Sequence, residues 1–305
     1  MASVRRSGTA ALVGRPNVGK STLLNRLIGI KVAIVSPKPQ TTRSRILGVL
    51  NAPEGQIAFF DAPGIHRASG ALNKYLAELA WQTIREVDAA VMMVEAGTGS
   101  ASKAEVEDRR ILEKLTRLRK PIVLAINKVD RIAKPLLLPQ IDRYRGSFEF
   151  AEIVPISART GDGVTALQSA VIQVLPEAEP LFDDNLLTDQ TERILAGEYI
   201  REQLLRHCRE EVPHRSAVVV DYFDESERGK EGVALARIGA TIYVERQNQR
   251  AIVIGKRGQM LKSIGSDARR QIEELLGARV YLELRVAVEP GWSDRAGALG
   301  KLGYE

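Results

Sequence analysis

The chain has a single cysteine, Cys208, among its 305 residues. One thiol cannot close an internal disulfide, which excludes a small disulfide-stapled secreted scaffold. Without a second cysteine it does not signal a zinc site either, and it reads as a small buried or half-exposed thiol. No apolar run approaches the roughly 18 to 20 residues that a bilayer-spanning helix needs. The basic start, Met1-Ala-Ser-Val-Arg-Arg6, is followed only by Thr9–Val13 before a glycine, too short for a signal-peptide core. A cytoplasmic protein is expected. Internal repeats and low-complexity segments are also lacking.

What is present is ordinary globular composition, 44% hydrophobic and 27% charged, on a chain long enough for two domains. The net charge of +6 permits a polyanionic partner without requiring one. Its distribution says more. Residues 185–305 hold 19 Lys+Arg against 19 Asp+Glu, so the excess belongs to the first 184, and any nucleic-acid site in the C-terminal part must be a local patch.

The first half alternates apolar runs (Thr9–Val13, Ile57–Phe60, Ala89–Val94, Ile122–Ile126, Ile153–Ile156) with helical patterns after Gly19, Leu72, Lys103, Pro135 and Val164. That grammar predicts an α/β domain with a doubly wound, mostly parallel sheet. A Pro-rich acidic stretch from Leu175 to Asn185 reads as a linker, dividing a domain at 1–180 from a second at 181–305. The second half predicts a long helix over Thr188–Glu211, strands at Ser216–Phe223, Val233–Glu245 and Ala251–Ile254, a helix over Gln259–Leu276 and a strand at Arg279–Val288. This is a smaller α+β domain. The glycine-containing tail from Gly291 is expected to be less ordered.

Gly14-Arg-Pro-Asn-Val-Gly-Lys-Ser-Thr22 follows a predicted strand and opens a helix, the context that a P-loop requires. Gly14, Asn17, Val18 and Gly19 would curl backbone N–H groups toward phosphate oxygens at a helix N-terminus. Lys20 would reach the β- and γ-phosphates, Ser21 would offer its hydroxyl to Mg²⁺, and Thr22 completes the motif. Asn127-Lys-Val-Asp130 stands about 110 residues later, directly after a buried strand. The Asp130 carboxylate can accept two hydrogen bonds from guanine that adenine cannot supply; Lys128 can cover the base and Asn127 can tie loops together. Ser157-Ala158-Arg159 fits a further base-contacting loop. Asp61-Ala-Pro-Gly64 ends a strand, where Asp61 can hold the Mg²⁺ shell through water and Gly64 can offer its N–H to a γ-phosphate. In Ser36-Pro-Lys-Pro-Gln-Thr-Thr-Arg43 a threonine, Thr42 or alternatively Thr41, could reach the metal only when a γ-phosphate is present, which makes the loop a switch. Lys20, Thr42 and Gly64 are therefore the candidate catalytic groups. Ile65 stands where Ras-like enzymes carry a water-orienting glutamine, and it cannot orient water; His66 follows, in a place where a lone histidine is more often structural. Intrinsic hydrolysis should be slow.

Residues 246–270 carry seven Lys+Arg and one acid, Asp267, around Gly255-Lys256-Arg257-Gly258. A G-x-x-G loop with two basic residues, followed by a helix bearing Lys262, is the loop type by which KH domains clamp single-stranded RNA. Aromatics are sparse around it, so base stacking is not the obvious mode. Ile254, Met260 and Ile264 are groove or core candidates.

Taken in order, these motifs resemble the Era family, bacterial RNA-binding GTPases that assist small-subunit ribosome assembly. The resemblance runs through Gly14–Thr22, Pro39-Gln-Thr-Thr-Arg43, Asp61–His66, Asn127–Asp130, Ser157–Arg159 and the Gly255–Gly258 loop. It implies a Ras-like P-loop GTPase domain joined to a type II KH domain, GTP/GDP and Mg²⁺ as ligands, and K⁺ at the phosphates through Asn17. It implies binding to the 3′ end of 16S rRNA and the 30S subunit, with peripheral inner-membrane association. A monomer is expected. Ala62 departs from the threonine common in the family. Alternatives are an RNA-binding module with a merely structural nucleotide site, another translation-associated GTPase, and a P-loop kinase or ATPase, which Asn127–Asp130 opposes.

Overall fold

The computed structural model of the chain describes residues 5–65, 70–97, 103–230 and 233–304. They divide into two compact units. One comprises Met1–Ala33, Thr42–Ala68 and Leu76–Asp189; the other comprises Ile34–Thr41, Ser69–Tyr75 and Gln190–Glu305.

The first unit is built on β1 (Arg6–Val13), α1 (Lys20–Ile28), β2 (Ile46–Ala52), β3 (Gly55–Asp61), α2 (Ala71–Glu86), β4 (Ala89–Glu95), α3 (Lys103–Thr116), β5 (Ile122–Asn127), α4 (Leu138–Ser147), β6 (Glu152–Pro155) and α5 (Val164–Val174). The sheet order is β2-β3-β1-β4-β5-β6, with every pairing parallel except β2 with β3. The apolar runs follow from burial on both faces. Within β1, Ala10 and Leu12 enter one core cluster while Ala11 and Val13 enter another on the opposite face. β1 is flanked by β3 and β4, so the chain leaves it in opposite directions on its two sides, and the crevice at the carboxyl ends of the strands is where such sheets take ligands. The loops after β1, β3, β5 and β6 all emerge at that edge.

The second unit contains α6 (Glu192–His207), β7 (Ser216–Lys230), β8 (Val233–Val244), α7 (Gln247–Ile254), α8 (Gln259–Leu276), β9 (Arg279–Val288) and α9 (Ala296–Lys301). β8 is central, antiparallel to β7 and parallel to β9. Helix α8 buries Ile264, Ala268, Ile272 and Leu276, a stripe of four-residue spacing, against a core shared with Ala196, Ile200 and Leu204 of α6.

The structure corrects four local expectations. Ala251–Ile254 is the end of helix α7, not a strand. The Gln249 side chain accepts from the Glu245 and Arg246 N–H groups at 2.9 and 3.1 Å and caps a helix start that the short apolar run had hidden. Helix α6 is shorter than the pattern, because Thr191 caps it by accepting from Ile194 N–H at 3.3 Å. Strand β2 has no counterpart among the predicted strands; Gly48 interrupts its apolar run, and Pro53 and Glu54 make its turn into β3. The tail is ordered: Trp292 is fully buried, donates to the Arg215 carbonyl at 3.2 Å and stacks on Tyr304 at 5.8 Å.

Candidate functional site

The loop from Gly14 to Gly19 links β1 to α1. Gly19 caps α1 at φ +107°, and a Cβ there would lie 2.3 Å from Asn127 Nδ2, so only glycine fits this approach. Lys20 is 6% exposed, and its Nζ donates to the Gly14 and Arg15 carbonyls at 3.2 Å each. Burial lowers its pKa, opposed by the Asp61 charge. A buried ammonium held only by carbonyls has capacity for an anion, and the phosphate chain of a nucleotide supplies it. The loop is braced from outside by Arg15, whose Nε donates to buried Asp108 of α3 at 2.7 Å.

Three oxygen-bearing side chains converge beside Lys20. Ser21 Oγ donates to Asp61 Oδ2 at 2.5 Å and lies 2.9 Å from Thr42 Oγ1, and Thr42 Oγ1 is 3.3 Å from the same carboxylate oxygen. Asp61 is fully buried, which raises its pKa against the opposing effects of Lys20, Ser21 and Thr42. Its second oxygen, Oδ1, is buried without a hydrogen-bond partner. Two hydroxyls and a carboxylate with an unsatisfied oxygen are hard donors that fit a hydrated Mg²⁺ completed by phosphate oxygens. The described residues form no group of three or more His, Cys, Asp or Glu that would cage a metal unaided. Thr41 is not part of the cluster; its hydroxyl donates to the Lys38 carbonyl at 2.7 Å. Ile65 N–H donates to the Gly14 carbonyl at 3.3 Å, which holds the segment carrying Gly64 to the phosphate loop. His66 lies outside the described residues.

At the far end of the site, Asn127 is 2% exposed and joins two loops. Its Nδ2 donates to the Val18 carbonyl at 2.7 Å, and its Oδ1 accepts from Ala158 N–H at 2.9 Å. Asp130 accepts from Ser157 Oγ at 2.7 Å and from Arg159 Nη2 at 2.8 Å. Those bonds, with the Ser157 bond the larger effect, hold its carboxyl below the usual range, so it stays an acceptor for paired N–H donors. Lys128 sits at φ +69° with its ammonium 2.9 Å from Glu95 Oε2, which fixes the direction of its stem.

The second candidate site is the turn from α7 to α8. Gly255 has φ +71°, and a Cβ there would fall 2.5 Å from Met260 Cβ. Gly258, at φ +78°, caps α8. Lys256, Arg257 and Lys262 are exposed. Other cations of the basic stretch have structural partners: Arg250 donates to the Val286 carbonyl at 3.1 Å, and Arg270 pairs with Asp267, which also bonds His207 at 2.7 Å. A groove of about 470 Å³ runs beside the turn between α8 and β9, lined by Gly258, Lys262, Ser266 and Tyr281 among others. Tyr281 is 55% exposed. The sequence hid this aromatic, because it comes from β9, some twenty residues after the loop; alternation along β9 was the signal that could have found it. Ile264 is fully buried in the core, and Met260 packs against that core, partly buried.

A phosphate loop with a buried lysine, a carboxylate–hydroxyl cluster and a guanine-type acceptor define a P-loop GTPase, here followed by a KH unit. Comparison with known proteins agrees. The 50S ribosome-binding GTPase family matches residues 9–128 and the KH domain family matches residues 211–293. The chain is 50% identical over 299 residues to GTPase Era of Geobacter metallireducens and 47% identical over 305 residues to GTPase Era of Xanthomonas oryzae pv. oryzae. These matches cover 98% and 99% of this chain and 98% of each relative. Among solved structures it is similar to an Aquifex aeolicus Era variant bound to GDP and tetrafluoroaluminate (41% identity, TM-score 0.90). It is also similar to Era in complex with MgGDPNP and nucleotides 1506–1542 of 16S ribosomal RNA (42% identity, TM-score 0.92). Each match covers 98% of this chain and 99% of the other. The chain belongs to the Era family of GTPases, and it is a GTP-hydrolysing enzyme.

Proposed function

We propose that this chain is a GTP-driven RNA switch of small-subunit assembly, in which one end grips the 3′ end of 16S rRNA and the other reads the γ-phosphate. The observation that carries the reading is the Ser21–Thr42–Asp61 cluster. Thr42 comes from a segment separate from the phosphate loop, so its place in the cluster can depend on what the loop holds. Ser21 and Thr42 would hold Mg²⁺ by their hydroxyls and Asp61 through water. The ion neutralises phosphate charge as the terminal phosphoryl group leaves. Lys20 takes the β- and γ-phosphate oxygens. Gly64 offers its N–H to the γ-phosphate. Asp130 accepts from guanine, with the Ser157–Arg159 loop closing the pocket. Ile65 brings no hydrogen bond to water, so the chain's own groups orient the phosphates better than the nucleophile, and turnover is slow without a partner. K⁺ beside Asn17 belongs to the same proposal.

At the other end Lys256, Arg257 and Lys262 neutralise phosphates while Gly255 and Gly258 allow close backbone approach. The solved relative bound to 16S rRNA nucleotides 1506–1542 supports this assignment, as does its MgGDPNP for the metal. Action on the 30S subunit follows from that RNA target. A monomeric state and peripheral attachment to the inner membrane rest on family resemblance alone; no helix of the described residues is long and apolar enough to cross a membrane.

The test is fluorescence anisotropy of a labelled 16S 3′-end oligonucleotide with the protein holding GDP or GDPNP. Tighter binding with GDPNP, lost in Gly255→Asp, is expected. Equal binding in both states would leave two independent activities and end the switch.

A further inference from the structure

Residues Ile34–Thr41 lie between α1 and β2 in the chain, yet they belong to the C-terminal unit. Four contacts fix them there. Ile34 is 2% exposed and sits in the core with Ala196, Tyr199 and Ile200 of α6. Val35 N–H donates to Glu202 Oε1 at 3.0 Å. Lys38 Nζ donates to the Cys208 carbonyl at the end of α6, and Arg201 Nη2 donates to the Thr41 carbonyl. Just before that last contact the backbone passes through Gln40 at φ +60°, whose amide donates to Asn73 Oδ1 at 2.6 Å. The next residue along the chain is Thr42.

Arg201 is a costly residue for this place. It is 1% exposed. Glu198 accepts from its Nε and Nη2 at 2.7 and 2.6 Å, while Nη1 is buried without a hydrogen-bond partner. A well-packed apolar side chain would avoid both the buried charge and the unmatched nitrogen. What an apolar side chain cannot do is hold a carbonyl oxygen. A rigid guanidinium fork, oriented by Glu198, does so directionally.

We infer that Arg201 is a positioning residue for Thr42. By fixing the Thr41 carbonyl it sets the peptide plane from which the Thr42 side chain departs, and so selects the position in which the hydroxyl meets Ser21 and Asp61. Arg201 touches neither nucleotide nor metal. The inference rests on the assignment of Thr42 to the γ-phosphate-bound state proposed above. If both hold, Arg201 contributes to GTP affinity and nothing to GDP affinity.

The experiment measures the affinities of fluorescent GDP and GDPNP for the full chain, and the Mg²⁺ concentration that half-saturates GDPNP binding, in the wild type, Arg201→Met, Glu198→Gln and Thr42→Ala. Melting temperatures are recorded alongside. Thr42→Ala should weaken GDPNP and spare GDP. Arg201→Met should do the same, weakening GDPNP about tenfold, as expected for loss of one charge-assisted hydrogen bond, and raising its Mg²⁺ requirement. GDP affinity should stay within about twofold. If Thr42→Ala weakens GDPNP and Arg201→Met does not, the inference is overturned and the Thr42 assignment stands. If Thr42→Ala leaves GDPNP unchanged, that assignment fails and takes the inference with it. Equal loss of both nucleotides with a lowered melting temperature in Arg201→Met assigns Arg201 a merely structural role and overturns the inference. Should Arg201→Met fail to fold, Glu198→Gln decides: it keeps the packing and loosens the fork, and it must separate GDPNP from GDP in the same direction. No separation overturns the inference.

Discussion

The molecule meets phosphate twice, with the same local device and opposite burial. In each case a loop framed by glycines, carrying a basic residue, delivers a backbone curl into a helix whose cap is a glycine with positive φ: Gly19 before α1 and Gly258 before α8. At the first, Lys20 is 6% exposed and its neighbours are protein carbonyls. At the second, Lys256 and Arg257 stand in solvent beside an open groove. The difference teaches what each loop is for. An enclosed lysine gains full electrostatic strength from the low dielectric around it and fits one short ligand. Exposed cations gain less per contact, are screened by salt, and suit a long polyanion that passes along the surface.

The comparison breaks most sharply at Lys20. Lys20→Met should lower affinity for GDP and GTP by at least about a hundredfold, since it removes charge-assisted bonds in a buried site. Calorimetry would show it, and oligonucleotide binding without nucleotide should be unchanged. Asp130→Ala comes next. A site built to accept a pair of hydrogen bonds loses discrimination when the acceptor goes, so GTP should weaken by about a hundredfold while ATP competition stays as poor as before. At the other loop, Gly255→Asp strains the turn against Met260 and adds a negative charge where phosphate should pass. Affinity for the 16S 3′-end oligonucleotide should fall about tenfold or more, with basal GTP hydrolysis unchanged. Lys256→Gln and Lys262→Gln should each cost little affinity at low salt. Each should flatten the slope of log affinity against log salt by about 0.7. Lys20→Met, by contrast, should not move that slope at all.

The smallest effect concerns the C-terminal anchor. Glu245 is buried, which alone would raise its pKa, but bonds from Ser293 and Arg215 outweigh burial and hold it below the usual carboxylate range. A carboxylate depressed in the folded state contributes stability that is complete above its unfolded pKa of about 4.3 and is lost as pH falls through the folded value. Emission from Trp292, whose neighbour Ser293 donates to Glu245 Oε1 at 2.5 Å, should therefore shift red below about pH 4. Glu245→Gln should remove that step.

Sequence made the nucleotide site far more legible than its surroundings. Each nucleotide segment closes a buried strand, so the strand pattern and the short motif confirm each other: Asn127 ends β5 and Asp61 ends β3. Choosing between Thr41 and Thr42 needed tertiary structure, since only the fold shows that one hydroxyl turns back to Lys38 and the other forward to Ser21. The helical nature of residues 251–254 was hidden because three consecutive apolar residues carry no periodicity, while the capping bond from Gln249 depends on the chain's position after β8. Arg201 was invisible as anything but a surface cation on an amphipathic helix. Its burial is created by a segment 160 positions earlier. The tail read as disordered because its glycines are local information and the Trp292 pocket is not.

One side chain carries a consequence for how a ligand is assembled. Asn127 holds the Val18 carbonyl with one end of its amide and Ala158 N–H with the other, so a single planar group spans the part of the site that takes phosphates and the part that takes the base. Ordering either loop therefore lowers the entropy cost of ordering the other. Guanosine and pyrophosphate offered as separate molecules should each bind more tightly when the other is present. The intact nucleotide gains that cooperativity within one covalent frame.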